Sequence, residues 1–328
     1  FRENKIGISA DIRKFYNTLR LDPSHYKYHM ALWRPNMQPD EDAIELVLLV
    51  HFYGIRSSGG LCMAAVKKLI DFARKLGLEN VARMLESAYV DDCNSSVGKE
   101  SELEEVIQKM PGFMRDHGMP IKALAWSGGE TPAELSSDGL INTAGYSWDP
   151  KEDTMKIMVP KIFHGEKKKG RYTKDTVFFK NKTTLENLRK FYEGKKITHE
   201  VILSKTASLY DPLGFAAPLK VYGSYICRRA LIDSAGDPLK EVGERTRELF
   251  IQYTYQVKML ETLTFARNRS TLARSEGDTL VMCTDAGVSA SMMVFYIGKE
   301  TGNGLELDFV FSIGPVSYTH LRAHETGI

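Results

Sequence analysis

Residues 87–97 read SAYVDDCNSSV, and Asp91-Asp92 falls where two short β-prone runs meet. Ser87–Val97 therefore predicts two strands flanking a tight turn that carries both carboxylates. Adjacent carboxylates repel each other, which is unfavourable unless a cation shares them. An Asp-Asp pair alone more often marks a solvated turn. Here Tyr89-Val90 precedes it, and 80 positions before Asp91 another apolar run ends in Ala10-Asp11-Ile12, where a strand meets a helix. Asp11, Asp91 and Asp92 then offer hard oxygen ligands from neighbouring strands, the donor type that suits Mg²⁺ beside substrate phosphates. Two ions about 3.5–4 Å apart can activate a primer 3′-hydroxyl and stabilise a pyrophosphate leaving group.

Working outward, residues 4–11 predict a strand, followed by a short amphipathic helix to about Leu21. Tyr26–Trp33 and Ala43–Phe52 predict a long hairpin across the turn-prone Pro35–Asp42. Leu61, Ala65, Leu69, Phe72 and Leu76 fall at helical spacing within Ser57–Leu76, and a second helix covers about Leu78–Glu86. Ser101–His117 is helical with an expected break at Pro111-Gly112, and Gly118 ends it. Ile121–Trp126, Ile141–Trp148 and Thr154–Val159 read as strands. The order strand, helix, strand-turn-strand, helix, strand is that of a split βαβ sheet. Beyond it, Thr184–Tyr192, His199–Tyr210, Pro218–Asp233 and Leu239–Leu263 are helical, and a β pattern resumes at Thr279–Thr284, Ser291–Ile297 and Leu305–Phe311.

Several residues around the acids carry a second reading. Tyr16, five positions after Asp11, fits a gate beneath an incoming sugar that selects deoxynucleotides; plain helix packing explains it too. Gly54 in FYGIRSS lets backbone approach a template base and nucleotide closely, with Ser57 and Ser58 as helix caps. Tyr89 flanks the acidic turn. Lys122 can protonate a departing pyrophosphate or be an ordinary exposed strand lysine.

Net charge is only +2 over 328 residues, with 43% hydrophobic content, so any basic surface is local. Residues 151–200 hold 14 Lys/Arg against 7 Asp/Glu, and Lys167, Lys168, Lys169 and Arg171 interleave with aromatics. Such a stretch can grip a nucleic-acid backbone or be a solvated loop. Cys62, Cys93, Cys227 and Cys283 lack zinc-ligand spacing and read as free thiols. No apolar run reaches membrane-spanning length. Val316–Thr326, VSYTHLRAHET, reads as a translated sequencing adapter, so 316–328 is taken as a scar on a piece of a longer frame.

Taken in order, ADIRKFYNTLRLDP (10–23), FYGIRSSGG (52–60), YVDD (89–92), HGMPIKALAW (117–126), TAGYSWDPKEDT (143–154) and ILSKTASLYDPLGFAAPLKV (202–221) resemble the reverse transcriptase region of BEL/Pao LTR retrotransposons. Gly59 departs from the Pro common in related motifs, and Lys122 stands further from Trp126 than usual. The resemblance implies an α+β right-hand polymerase: a split βαβ, ferredoxin-like palm with partial fingers in 1–160 and a basic helical thumb/connection in 161–275. The start of a truncated RNase H-like α/β element follows in 276–315, with Asp285 of MCTDAGVSAS as its first acid. It also implies Asp11, Asp91 and Asp92 as catalytic carboxylates, with the carbonyl of Ile12 as a further metal ligand. Two Mg²⁺ ions (or Mn²⁺), deoxynucleoside triphosphates, an RNA template and a DNA primer go with that activity. Polyprotein or dimer partners and a cytoplasmic virus-like particle, or the nucleus, are the implied setting.

Two rival readings stay open. One is a non-catalytic nucleic-acid-binding remnant. The other is an aspartic peptidase, because the segment around Leu209-Tyr-Asp211-Pro-Leu-Gly214 is called a Pao peptidase in that family. An aspartic peptidase needs an Asp-Ser/Thr-Gly loop from each half, and Asp211-Pro212 reads better as a turn between helices.

Overall fold

The computed structural model describes residues 1–38, 41–136, 138–159, 184–268, 277–286, 291–302 and 304–314, together with the backbone of 167–168 and 171–172. Two compact units result. The first comprises Phe1–Ile141, Asp149–Asp153 and Arg267–Ser270, the second Asn142–Trp148, Thr154–Ala266 and Thr271–Ile328.

In the first unit, β1 (Ile6–Ile12) lies at the centre of a sheet with β4 (Ala88–Tyr89), β5 (Asp92–Val97) and β6 (Ile121–Trp126), in the order β4-β5-β1-β6. All three pairings are antiparallel, and helices connect β1 to β4 and β5 to β6. That is the expected split βαβ arrangement. Alternation along β1 explains its position. Ile6, Ile8, Ala10 and Ile12 are buried against α1 (Ser58–Lys75), α2 (Glu79–Glu86) and α3 (Glu100–Asp116), through Cys62, Val66, Met84, Leu85, Met110 and Met114. Each fully buried isoleucine contributes about 1.5–3 kcal/mol relative to exposure. Gly7, Ser9 and Asp11 necessarily point to the other face.

Four local expectations are corrected. Instead of an amphipathic helix after β1, the chain makes a 3-10 turn over Phe15–Thr18, because Lys14 enters it in the left-handed region at φ 53°. A second 3-10 turn spans Pro23–Tyr28 before the hairpin β2 (Met30–Trp33) and β3 (Ile44–Val47). α3 runs unbroken through Pro111. An interior proline costs about 3 kcal/mol, which burial of Val106, Met110, Phe113 and Met114 on the same helix outweighs. Ser57 makes no side-chain cap on α1; Ser58 instead pairs its hydroxyl with His51 Nδ1 at 3.1 Å in the interior.

The second unit holds the sheet β12-β9-β8-β7, with β7 at Ile141–Thr143, β8 at Tyr146–Asp149, β9 at Thr154–Ile157 and β12 at Phe265–Ala266. Thr154–Ile157, upstream of the boundary expected at 160, groups with the later chain because β9 ladders with β12. β10 (Lys167–Lys168) and β11 (Arg171–Tyr172) form a small antiparallel pair. Four helices follow: α4 (Leu185–Tyr192), α5 (His199–Ala207), α6 (Ala217–Asp233) and α7 (Glu244–Met259). A meander of β13 (Thr279–Ala286), β14 (Ser291–Thr301) and β15 (Gly304–Ile313) closes the described chain. Among the described residues no helix is long and apolar enough to cross a membrane.

Candidate active site

Asp11 and Asp92 are directly opposed across the β1–β5 ladder, so their side chains share the sheet face that the helices leave uncovered. The turn between β4 and β5 is a two-residue connection, Val90-Asp91, closed by the pair Tyr89↔Asp92. Val90 adopts φ 61°, a left-handed conformation that a β-branched residue avoids. Strain of about 1–3 kcal/mol at such a position is characteristic of functional turns. The Asp91 carbonyl accepts a 2.8 Å hydrogen bond from the Ile12 amide, which fixes the acidic turn to the end of β1. The side chain of Ile12 itself lies in the core.

Electrostatics at this end of the sheet is dominated by the acids. Asp92 is pushed up to about 6, first by burial and then by the neighbouring charges of Asp91 and Asp11, with Lys122 opposing. Burial likewise pushes the adjacent Cys93 thiol up to about 12, so it is no nucleophile.

Lys122 reaches this face through a bulge. Ala10 pairs with Leu124 and Ile12 with Ile121, so Lys122 and Ala123 together stand opposite Asp11. In unbroken alternation from Leu124, Lys122 would point into the core. The extra residue turns it to the acidic face. Its ammonium donates to Asp11 Oδ2 at 2.9 Å and lies 2.9 Å from Oδ1, an enclosed oxygen that accepts no hydrogen bond.

The opposed pair and the under-satisfied Oδ1 suit a divalent cation in donor chemistry. Three ligands are not yet gathered: among the described residues no three His, Cys, Asp or Glu side chains converge as for a metal ion. Asp91 acts on Asp92 through its charge rather than by closing such a set.

Tyr16 packs edge-on against Tyr53, ring centroids 4.7 Å apart, and its hydroxyl would stand 4.0 Å from a Cβ at Gly59. Tyr16, Tyr53, Gly54 and the start of α1 are thus brought together. Gly54 has φ +88°, and a Cβ there would meet nothing within 4 Å, so backbone conformation rather than crowding calls for glycine. Tyr89 is strongly exposed at 75%. Of the basic stretch, Lys169 and the side chains of Lys167, Lys168 and Arg171 lie outside the described residues, as do Val316–Thr326.

Sequence reasoning missed a second charged centre in the same unit. Arg267 is fully buried and uses all five donor positions: Nε and Nη2 on Asp153 at 2.7 and 2.9 Å, Nη1 on the carbonyls of Phe1 and Asn4, and Nη2 on that of Lys5. A Cβ on Gly7 would come within 2.4 Å of its Nε, so this strand position accepts only glycine. Ser127 links the two parts, donating to Asp153 at 2.8 Å and accepting from the Gly7 amide at 2.8 Å. Nothing local in the sequence marks a pair 114 positions apart.

In the second unit Asp211 is structural. Its Oδ1 accepts from the Tyr146 hydroxyl at 2.5 Å and the Phe215 amide at 3.1 Å, and its Oδ2 accepts from the Ala216 amide at 2.7 Å. The expected turn between helices is present, between α5 and α6. Gly214 is required there: at φ +75°, a Cβ would lie 2.0 Å from the Ser312 carbonyl oxygen. A carboxylate committed in this way leaves nothing for peptidase chemistry.

A model of the Pao retrotransposon-like RNaseH-like domain matches residues 198–316. This supports a Pao retrotransposon polyprotein. The match covers α5 through β15, running across the expected connection as well as the strands after 276. No curated protein matches the chain. An RNase H-like domain implies nucleic acid as a partner, and a nucleic-acid-processing enzyme family. Asp285 is exposed on the edge strand β13, opposite Met292. Asp308 pairs with Ile297 on the other face of the meander and is only half-exposed, with Oδ2 enclosed. The two acids therefore cannot share an ion.

Proposed function

We propose that the first unit is the palm of an RNA-directed DNA polymerase, a reverse transcriptase, within a Pao-type polyprotein. The observation that carries this reading is the direct opposition of Asp11 and Asp92 beside a strained Tyr89-Val90-Asp91-Asp92 turn on a split βαβ sheet. Two Mg²⁺ ions, or Mn²⁺, would polarise the primer 3′-hydroxyl and stabilise the departing pyrophosphate.

The chain's own part is placement. Asp11, Asp91, Asp92 and the Ile12 carbonyl would hold the ions, with Asp91 turning in to complete the set. Core packing of Ile8, Ala10 and Ile12 keeps the β1 end of the site rigid against the helices. Tyr16, braced by Tyr53, would lie under the nucleotide sugar and exclude a 2′-hydroxyl. Gly54 and Tyr89 would border the nucleotide, with Lys122 beside it. Lys167, Lys168, Lys169 and Arg171, in a thumb/connection of 161–275, would grip the template–primer backbone. Asp285 would belong to an RNase H-like element starting near 276.

Primer extension tests the proposal. The chain is incubated with a DNA-primed RNA template, deoxynucleotides and Mg²⁺. Extension that falls at least about a thousandfold in Asp92→Asn, as for loss of a group acting in the transition state, supports it. Extension insensitive to both Asp11→Asn and Asp92→Asn refutes it.

A further inference from the structure

We propose that Lys122 is a built-in counter-ion that competes with divalent metal for the Asp11 carboxylate and releases it when metal binds. The inference rests on the two-metal reading above and adds a positioning residue to it.

The geometry carries the argument. Lys122 Nζ lies 2.9 Å from both oxygens of Asp11, the positions a divalent ion at that carboxylate would need. Oδ1 is enclosed and accepts no hydrogen bond, so the ammonium 2.9 Å away compensates it by charge alone. The β6 bulge turns Lys122 away from the core and onto this face.

Asp11, Asp91 and Asp92 carry three negative charges at one end of the sheet when ionised, and like charges directly opposed across a ladder destabilise it. One lysine offsets part of that repulsion. A divalent ion at the acids would offset more of it, and would meet the ammonium as a like charge.

The residue type also suits a releasable contact. A lysine is a compact point charge on a flexible stem, whereas an arginine would hold the carboxylate through a planar fork. The Lys122 side chain is 40% exposed, which gives it solvent to swing into. Losing Lys122 therefore has two effects of opposite sign. Without metal the acidic end is less stable, and for metal it is a tighter site. A lysine that merely supported the fold would weaken both.

The test is Mn²⁺ binding to the full chain, followed by the paramagnetic signal of free Mn²⁺. Lys122→Met should bind about tenfold more tightly than the unmodified chain, from loss of one nearby positive charge, while melting at a lower temperature in chelator. Lys122→Arg should keep metal affinity at or below that of the unmodified chain. Equal affinity for the unmodified chain and Lys122→Met, with binding lost in Asp11→Asn, overturns the counter-ion role and leaves the two-metal reading standing. Binding by neither chain overturns both. If Lys122→Met does not fold, amine acetylation of the unmodified chain decides. Saturating Mn²⁺ should raise the modification rate of Lys122 several-fold relative to other lysines, and an unchanged rate overturns the proposal.

Discussion

Asp11 on β1 and Asp92 on β5 face each other across an antiparallel ladder, on the sheet face opposite the buried isoleucines of β1. A protein that needed only stability would not place two carboxylates there, because directly opposed like charges destabilise a ladder. The strained Val90 beside them adds a second local cost. Both are the kind of departure from local preference that functional sites retain.

Asp92 sets a pH dependence whose sign follows from its shift. Its carboxyl is raised from 3.8 to about 6 in the folded chain, so folding favours the protonated form. That stabilisation is complete below the unfolded value near 3.8 and is lost as pH rises through about 6. Because Asp92 is only half-buried, the effect is discounted for solvent screening to on the order of 1–2 kcal/mol. In chelator, Asp92→Asn should be more stable than the unmodified chain at pH 7.5, with a smaller difference near pH 4. Urea unfolding at the two pH values measures this, and equal stability at pH 7.5 would show that neither burial nor the neighbouring acids disfavour the charged form.

Arg267 should be the most sensitive position in the first unit. Its removal takes the cation from Asp153, which keeps the Ser127 hydroxyl, and takes guanidinium donors from the carbonyls of Phe1, Asn4 and Lys5; breaking a buried pair costs about 3–5 kcal/mol. Arg267→Ala should lower the urea midpoint strongly, and Gly7→Ala should do so through collision with the guanidinium. A small change in either would mean that the segment 1–5 is held by other contacts.

Much of this fold is legible in the sequence where the pattern is local. The alternation of Ile6–Ile12, the helical spacing within α1 and the Asp-Asp turn each follow from side chains a few positions apart. The first 3-10 turn is less legible, because Lys14 enters the left-handed region without a glycine to announce it. The partners of Lys122 and Arg267 are not legible at all. One depends on a single extra residue in the β1–β6 register, the other on a contact across 114 positions. In the second unit, Asp211-Pro-Leu-Gly214 reads as a turn, but the Tyr146 hydroxyl that completes it lies 65 positions upstream.

Asp211 should behave as a structural acid. Asp211→Asn retains shape but replaces a carboxylate acceptor of three hydrogen bonds, and Tyr146→Phe removes one donor. Each should destabilise the second unit by about 1–3 kcal/mol, read as a lower thermal midpoint. Neither should alter primer extension per folded molecule. Pepstatin-sensitive proteolysis that disappears in Asp211→Asn would contradict this assignment.

Tyr16 should control sugar selection rather than fold. Its ring rests on Tyr53 and is partly exposed, so Tyr16→Ala should cost little stability. With the ring gone, ribonucleotide incorporation relative to deoxynucleotide should rise about tenfold or more, equivalent to at least about 1.4 kcal/mol of lost discrimination. Unchanged discrimination in primer extension would return Tyr16 to a packing role.

The central claim, that Asp11 and the Asp91-Asp92 turn form one divalent-cation site, is tested most directly by metal-directed backbone cleavage. Fe²⁺ bound in place of Mg²⁺, with ascorbate and peroxide, generates radicals that cut the chain next to the ion. The account predicts two groups of cuts, around residue 11 and around residues 90–92. Both should be suppressed by excess Mg²⁺ and lost in the Asp11→Asn, Asp92→Asn double variant. Cuts elsewhere only, or cuts at these positions that persist in the double variant, would contradict it.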